Sequence, residues 1–292
     1  MGIDAAARLK RLTVIALFSD DELVDRLVLK GGNALSLAYN STARSSFDLD
    51  FSMEGRFNDA DLPDLAHRIE SRLKQAFAPE TLEVFDVKLT PKPENLTADL
   101  EDFWGGYSLE FRLITWQRYH ELRGDLAAVR REAIPARPGG TTRFEVDISC
   151  HECCRGKVAI EIDDFTVYVY TPTMIVCEKI RAICQQTPSY VQYVRKHAAV
   201  RARDFFDIHE TIRQFDIDVL EENVLALLRA MFQAKRVPFD ALRGLDGQRE
   251  FHRQDWISVR DTVDPRIQLR KFDYYFYFVL DLCRQLANAL SS

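Results

Sequence analysis

The chain changes texture at Thr171-Pro172-Thr173. Upstream, short segments alternate apolar and polar residues with a period of two, as half-buried strands do. Downstream, apolar residues recur every three or four positions, as on helices. In one upstream segment Leu109, Phe111 and Leu113 point one way while Ser108, Glu110 and Arg112 point the other. Residues 143–149 repeat that pattern, residues 156–170 hold two further strands, and 27–30, 47–52 and 82–89 complete the set. Helical periodicity over 5–18, 33–39 and 62–77 is interleaved with them. Past Pro172, which suits a first helical turn because its missing donor costs nothing there, helices are predicted over 173–186, 197–215, 218–234 and 271–290. The expected architecture is α+β: a mixed-sheet domain over 1–170, then a helical bundle over 171–292. In the last helix Phe272, Tyr274, Tyr275, Phe276, Tyr277 and Phe278 read as core packing rather than a ligand grip.

Charge and cysteine content narrow the function classes. A formal net charge of −6 argues against a broad duplex-binding surface but leaves room for a local basic patch. No apolar run approaches the ~18 residues of a membrane span. The opening Met1 to Leu12 is too polar for a signal peptide. Six cysteines, three of them clustered, do not form a secreted disulfide pattern, so a cytoplasmic protein is expected. Cys150-His151-Glu152-Cys153-Cys154 invites a zinc reading, yet zinc sites draw four ligands from two knuckles and only one is present.

The chemistry-bearing stretch runs from Lys30 to Ser52. Gly31-Gly32 follows a strand and precedes a helix, so the backbone can turn sharply and approach a ligand closely. The helix behind it offers free N–H groups and a positive dipole end, which suit phosphate; Asn33 and Ser36 add polar side chains. Asp48 and Asp50, two apart on a strand, put both carboxylates on one face, with Phe47, Leu49 and Phe51 on the other. Adjacent carboxylates with open positions for phosphate and water describe a magnesium site. Glu145 and Asp147 share the polar face of the strand over 143–149; of the two, the shorter Asp147 would hold a metal more rigidly.

The series Lys30-Gly31-Gly32-Asn33-Ala34-Leu35, Tyr39, Arg44, Ser46, Asp48-Leu49-Asp50-Phe51 resembles the AbiEii/AbiGii (MenT-type) nucleotidyltransferase toxins, a branch of the polymerase β-like superfamily. Two later motifs of that family are matched by Glu178-Lys179-Ile180-Arg181-Ala182 and Arg203-Asp204-Phe205-Phe206-Asp207-Ile208. The resemblance implies a polymerase β-like nucleotidyltransferase sheet and a catalytic set of Asp48, Asp50, Asp147, Lys179 and Asp204. Gly31, Gly32, Asn33, Ser36 and Lys179 would bind the NTP. Magnesium, with manganese as the alternative ion, would lie on Asp48, Asp50 and Asp147. It also implies a toxin of a toxin–antitoxin or phage-defence pair, with a cognate antitoxin, that adds nucleotides to a tRNA 3′ end. The competing functions are nucleotide transfer to a protein hydroxyl and an inactive nucleotide-binding module.

The residues of the second half leave roles open. Lys179 borders the apolar stripe of Val176, Ile180 and Ile183, where it either snorkels or meets an anion; the family motif favours the triphosphate. Asp204 borders the face of Arg201, Phe205, Ile208 and Ile212, while Asp207 is expected further toward solvent. Asp204 could enter the cleft to orient Lys179 or the attacking hydroxyl, or pair with Arg201 or Arg203. Tyr190, Tyr193, Arg195, Lys196, His197, Arg201 and Arg203 mix aromatic and cationic groups that suit a single-stranded RNA end, or a solvated helix face.

Overall fold

Leu62, Leu65, Ile69, Leu73 and Phe77 recur at helical spacing and are all buried, making one apolar stripe on a sixteen-residue helix. In the computed structural model, which describes residues 3–41, 43, 48–136 and 140–291, this helix is the fourth of thirteen labelled below. The order is α1 (Ile3–Phe18), α2 (Asp21–Arg26), β1 (Val28–Lys30), α3 (Gly31–Tyr39), β2 (Leu49–Ser52), α4 (Leu62–Phe77), β3 (Leu82–Lys92) and β4 (Gly106–Thr115). Next come α5 (Trp116–Leu122), α6 (Leu126–Arg131), β5 (Phe144–Ser149), β6 (Val158–Ile162) and β7 (Phe165–Val169). The remainder is helical: α7 (Pro172–Cys184), α8 (Pro188–Tyr193), α9 (Ala202–Phe215), α10 (Glu222–Ala234), α11 (Arg249–Arg253), α12 (Trp256–Arg260) and α13 (Phe272–Ser291). A 3-10 segment, Phe239–Gln248, precedes α11.

The chain divides into two compact units: Met1–Leu29, Phe47–His151 and Val158–Val169 make the first, and Lys30–Ser46, Glu152–Lys157 and Tyr170–Ser292 the second. The first is built on a seven-stranded sheet of order β3-β4-β5-β2-β1-β7-β6. Strands β2 and β5 pair in parallel, as do β1 and β7, whereas β3–β4, β4–β5 and β6–β7 are antiparallel. The sheet is therefore mixed, and the fold is α+β. Alternation holds along β4, where Leu109, Phe111 and Leu113 are buried. Asp163 and Asp164, both at positive φ (48° and 66°), close the β6–β7 hairpin in the left-handed geometry that aspartate tolerates. Asp20 caps α2 by accepting from the Glu22 and Leu23 amides and also receives Arg68 of α4 at 3.1 Å.

In the second unit, α7, α9 and α13 bury an aromatic core. Phe205 stacks on Phe276 (5.3 Å) and meets Phe272 edge-on (5.5 Å), while Phe206 lies against Tyr275 (5.4 Å). Of the aromatic run in α13, Phe272, Tyr275 and Phe276 are buried as expected; Tyr274 and Tyr277 are about half exposed, at 50% and 53%.

Several expected boundaries move: the strand expected over 82–89 runs on to Lys92, the helix expected over 173–186 ends at Cys184, and the helix expected from 33 starts at Gly31. The helix predicted over 197–215 starts at Ala202, because side chains claim the preceding backbone: Ala199 N–H donates to Gln186 Oε1 (2.9 Å) and Arg201 N–H to His252 Nδ1 (3.1 Å). The helix predicted from 218 starts at Glu222, since the Asp218 carboxylate accepts from the Leu220 amide (2.9 Å) and holds a turn there. The strand predicted from 47 starts at Leu49, where its ladder with β5 begins. Phe47, Arg44 and Ser46 lie outside the described residues.

Candidate active site

In the sheet unit, Leu49 and Phe51 of β2 and Val146 and Ile148 of β5 are buried, which turns Asp50 and Asp147 to the opposite face. The register sets Asp50 directly beside Asp147 across the parallel pair. Asp48, half-buried, stands in a bend one residue before the strand; the expectation that both aspartates ride one strand holds for Asp50 alone. Glu145 pairs in register with Glu110 on β4 and is more exposed than Asp147, 51% against 41% of the side chain.

A residue that the sequence did not single out completes this face. Lys92, at the end of β3, donates to Asp147 Oδ1 at 2.6 Å and lies 3.8 Å from Glu145 Oε1. Its register partner on β4 is Gly106, which lacks a side chain to stand in the way, and Gly106 in turn pairs with Ser149 of β5. Partial burial pulls the Lys92 ammonium down, but the hydrogen bond to Asp147 and the charges of Asp147, Glu145 and Asp50 outweigh it and hold its pKa above the ordinary lysine value.

The same face carries two buried hydroxyls with no hydrogen-bond partner among the described residues, Ser52 Oγ and Ser108 Oγ. Ser52 is two residues beyond Asp50 on β2, and Ser108 is the register partner of Asp147. Two neighbouring carboxylates, a captured ammonium and two orphaned hydroxyls suit a hydrated hard cation, which needs only one or two protein carboxylates when phosphates supply other ligands. No group of three histidine, cysteine, aspartate or glutamate side chains forms a ready metal cage among the described residues, so a cation on Asp50 and Asp147 would complete its shell with water or substrate oxygens.

In the helical unit, Gly31 opens α3 at φ 70°, a conformation that favours glycine. Asn33 is buried and Ser36 exposed. Helix α3 rests on α9: Tyr39 meets Phe215 edge-on at 5.7 Å and Ser41 Oγ donates to Gln214 Oε1 at 2.7 Å. Gly32, Leu35, Ser41, Asp207, Glu210 and Thr211 line a small, open concavity in this unit.

Beside that concavity Lys179 Nζ lies 2.7 Å from Asp204 Oδ1 and 2.8 Å from Asp207 Oδ2, with all three side chains less than 10% exposed. Asp207 is thus not turned toward solvent as its helical position suggested. The buried ammonium needs more than one carboxylate, and both motif aspartates serve it. Arg201 adds a weaker contact to Asp204 at 3.4 Å. Burial alone would raise the Asp204 carboxyl, but Lys179 and Arg201 hold it below the usual range.

A second buried cluster draws its members from distant parts of the chain. Glu152, seen only as one member of the cysteine–histidine run, lies in the interior of the helical unit near Arg181 (3.1 Å), Lys235 (3.4 Å) and Lys30 (3.8 Å). Burial would raise its carboxyl; the three cations outweigh this and bring it to about 2. Glu178 also faces inward enough to pair with Arg181 at 2.9 Å. Lys30 immediately precedes the Gly31-Gly32 turn, so the cluster anchors the start of α3.

The aromatic and cationic stretch is only partly available. Tyr190 is 1% exposed, and its hydroxyl donates to the Lys235 carbonyl at 2.6 Å, so stacking on a base is not open to it. Tyr193, Arg195 and His197 are exposed. Lys196 lies over the Tyr190 ring at 5.9 Å.

The family profile for "Nucleotidyl transferase AbiEii toxin, Type IV TA system" matches residues 14–276, nearly the whole chain. The protein belongs to the AbiEii nucleotidyltransferase toxin family. Family membership makes it a nucleotidyltransferase of a type IV toxin–antitoxin system, which implies a nucleotide substrate and an antitoxin. Among solved structures, a candidate nucleotidyltransferase from Helicobacter pylori aligns over 100% of this AbiEii-family chain and 98% of its own, at 16% identity and a TM-score of 0.49. JHP933 from the same species aligns over 97% and 90%, at 18% identity and a TM-score of 0.46. A comparison with curated proteins finds no match. No helix among the described residues is long and apolar enough to cross a membrane.

Proposed function

We propose that this AbiEii-family protein transfers a nucleotide from an NTP to the 3′ end of a tRNA, with magnesium as cofactor. The observation that carries the reading is the register pairing of Asp50 with Asp147 on adjacent parallel strands. Paired carboxylates with Lys92 and the orphaned hydroxyls beside them are suited to a divalent cation and have no evident use in a pure binding module. A cation bound there supplies Lewis-acid stabilisation of charge on phosphate oxygens. Asp50 and Asp147 would hold it, with Asp48 from the bend, and manganese would serve the same ligands.

The reaction is an in-line displacement. The acceptor hydroxyl oxygen bonds to the α-phosphorus, the bond from that phosphorus to the bridging oxygen breaks, and pyrophosphate leaves with the electron pair. A carboxylate of the Asp48, Asp50 and Asp147 set takes the hydroxyl proton. Gly31 and Gly32 offer backbone donors at the start of α3, and Asn33 and Ser36 contribute amide and hydroxyl groups. Lys179 meets the charge developing on pyrophosphate, with Asp204 and Asp207 fixing its ammonium. The concavity shared by Gly32 and Asp207 supports placing Lys179 and the glycine turn in one phosphate-binding function.

The acceptor rests on family resemblance and on the exposed Tyr193, Arg195 and His197. Incubation with each labelled NTP, magnesium and a mixture of total bacterial RNA and protein decides it. Label in a tRNA-sized, ribonuclease-sensitive species supports the proposal; label in ribonuclease-resistant protein bands replaces it with protein modification.

A further inference from the structure

Lys92 is a cation already seated at the proposed metal site. Its ammonium hydrogen-bonds Asp147 at 2.6 Å, lies 3.8 Å from Glu145, and is in the field of Asp50. It reaches there from β3, two strands away from Asp147 and three from Asp50, over a position where β4 carries Gly106. That glycine has a backbone reason of its own: a Cβ there would come 2.1 Å from the Ile148 carbonyl oxygen. The close approach of β4 to β5 therefore also keeps the path of the Lys92 side chain open.

An ammonium and a divalent ion cannot share Asp147 cheaply. They compete for the same oxygen, and charges of the same sign at contact distance repel. Lys92 is about half exposed, so its side chain can swing to solvent or toward a phosphate when the carboxylate is taken. Without a cation, the carboxylates at Asp50, Asp147 and Glu145 would repel one another. Lys92 relieves that repulsion in the metal-free protein and must be displaced when metal enters.

We propose that Lys92 is a positioning residue that holds Asp147 in the metal-free state and yields it to the divalent cation, thereby setting the affinity of the site for metal. The proposal rests on the reading of Asp147 as a metal ligand. Calorimetric titration of the full chain with Mn²⁺ alone, without nucleotide or turnover, tests it. Lys92→Met should bind Mn²⁺ about fivefold tighter than the parent, equivalent to ~1 kcal/mol for one half-exposed ion pair. Lys92→Arg, which keeps a cation on Asp147, should stay near the parent. Lys88→Met, which removes the same charge from the same strand without touching Asp147, should also stay near it. Equal or weaker Mn²⁺ binding by Lys92→Met, or equal tightening by Lys88→Met, overturns the competition. Asp147→Asn separates the two failures. Binding lost in Asp147→Asn but unmoved in Lys92→Met defeats the Lys92 proposal alone, whereas binding unchanged in Asp147→Asn defeats the metal-site reading and the proposal with it.

Discussion

Asp50 and Asp147 are register partners across the parallel pair of β2 and β5, so two carboxylates from segments almost a hundred residues apart in the chain emerge side by side. Such an arrangement costs electrostatic repulsion unless a cation offsets it. That cost identifies the face on which the chemistry is proposed.

Lys179 should matter to stability as well as to transfer. Lys179→Met keeps the stem but leaves Asp204 and Asp207 buried without their shared cation, a loss of about 3–5 kcal/mol. Chemical denaturation should show this drop. Asp207→Asn, which leaves the 2.7 Å contact with Asp204, should cost less. An unchanged midpoint for Lys179→Met would contradict the assignment of both aspartates to one lysine.

Glu152 makes a prediction in acid. Its folded pKa, about 2, lies below its ordinary value of 4.5. The stabilisation is therefore complete above pH 4.5 and is lost as pH falls from 4.5 toward 2. Glu152→Gln should lower stability by about 3–5 kcal/mol near neutral pH, and the gap to the parent should close across that acid window. A gap that stays constant in denaturation curves down to the acid limit of folding would count against the cluster.

The RNA-facing prediction rests on Arg195 and Lys196. Replacing both with Gln should raise the KM for RNA while leaving that for NTP nearly unchanged. Loss of two phosphate contacts should flatten the dependence of log affinity on log salt by about 1.4. Burial, with Arg201 and Arg181 nearby, brings Lys196 down to about 8. Its charge is thus present at neutral pH and lost as pH rises through 8, so RNA affinity of the parent should weaken there. Identical salt slopes in parent and variant would remove this segment from the RNA surface.

The contrast between what the sequence reveals and what it hides follows interaction range. The spacing of Gly31, Gly32, Asp48 and Asp50 within one short stretch already describes a turn and paired carboxylates; Gly31 does open α3 at positive φ, and Asp50, though not Asp48, lies on β2. The strands and most helices were legible from periodicity, and α4 at Leu62–Phe77 follows its apolar stripe end to end. Lys92 was hidden because its importance depends on the order of strands and on a missing side chain at Gly106, neither of which is local. Glu152 was hidden because its three cations come from positions 30, 181 and 235. Asp207 was misplaced because helical phase alone does not show that a buried lysine will need two carboxylates.

Label transfer from NTP to RNA in the presence of magnesium, measured for the parent, Asp50→Asn and Asp147→Asn at matched folded concentration, tests the role of the Asp50–Asp147 pair. Both substitutions keep side-chain shape and remove the charge that would hold the cation. The parent should label a tRNA-sized species, and each variant should lose about 100-fold or more in rate, ~2.7 kcal/mol of transition-state stabilisation, with its thermal melt intact. Full labelling by either variant would contradict the assignment of the Asp50–Asp147 pair as the catalytic metal site.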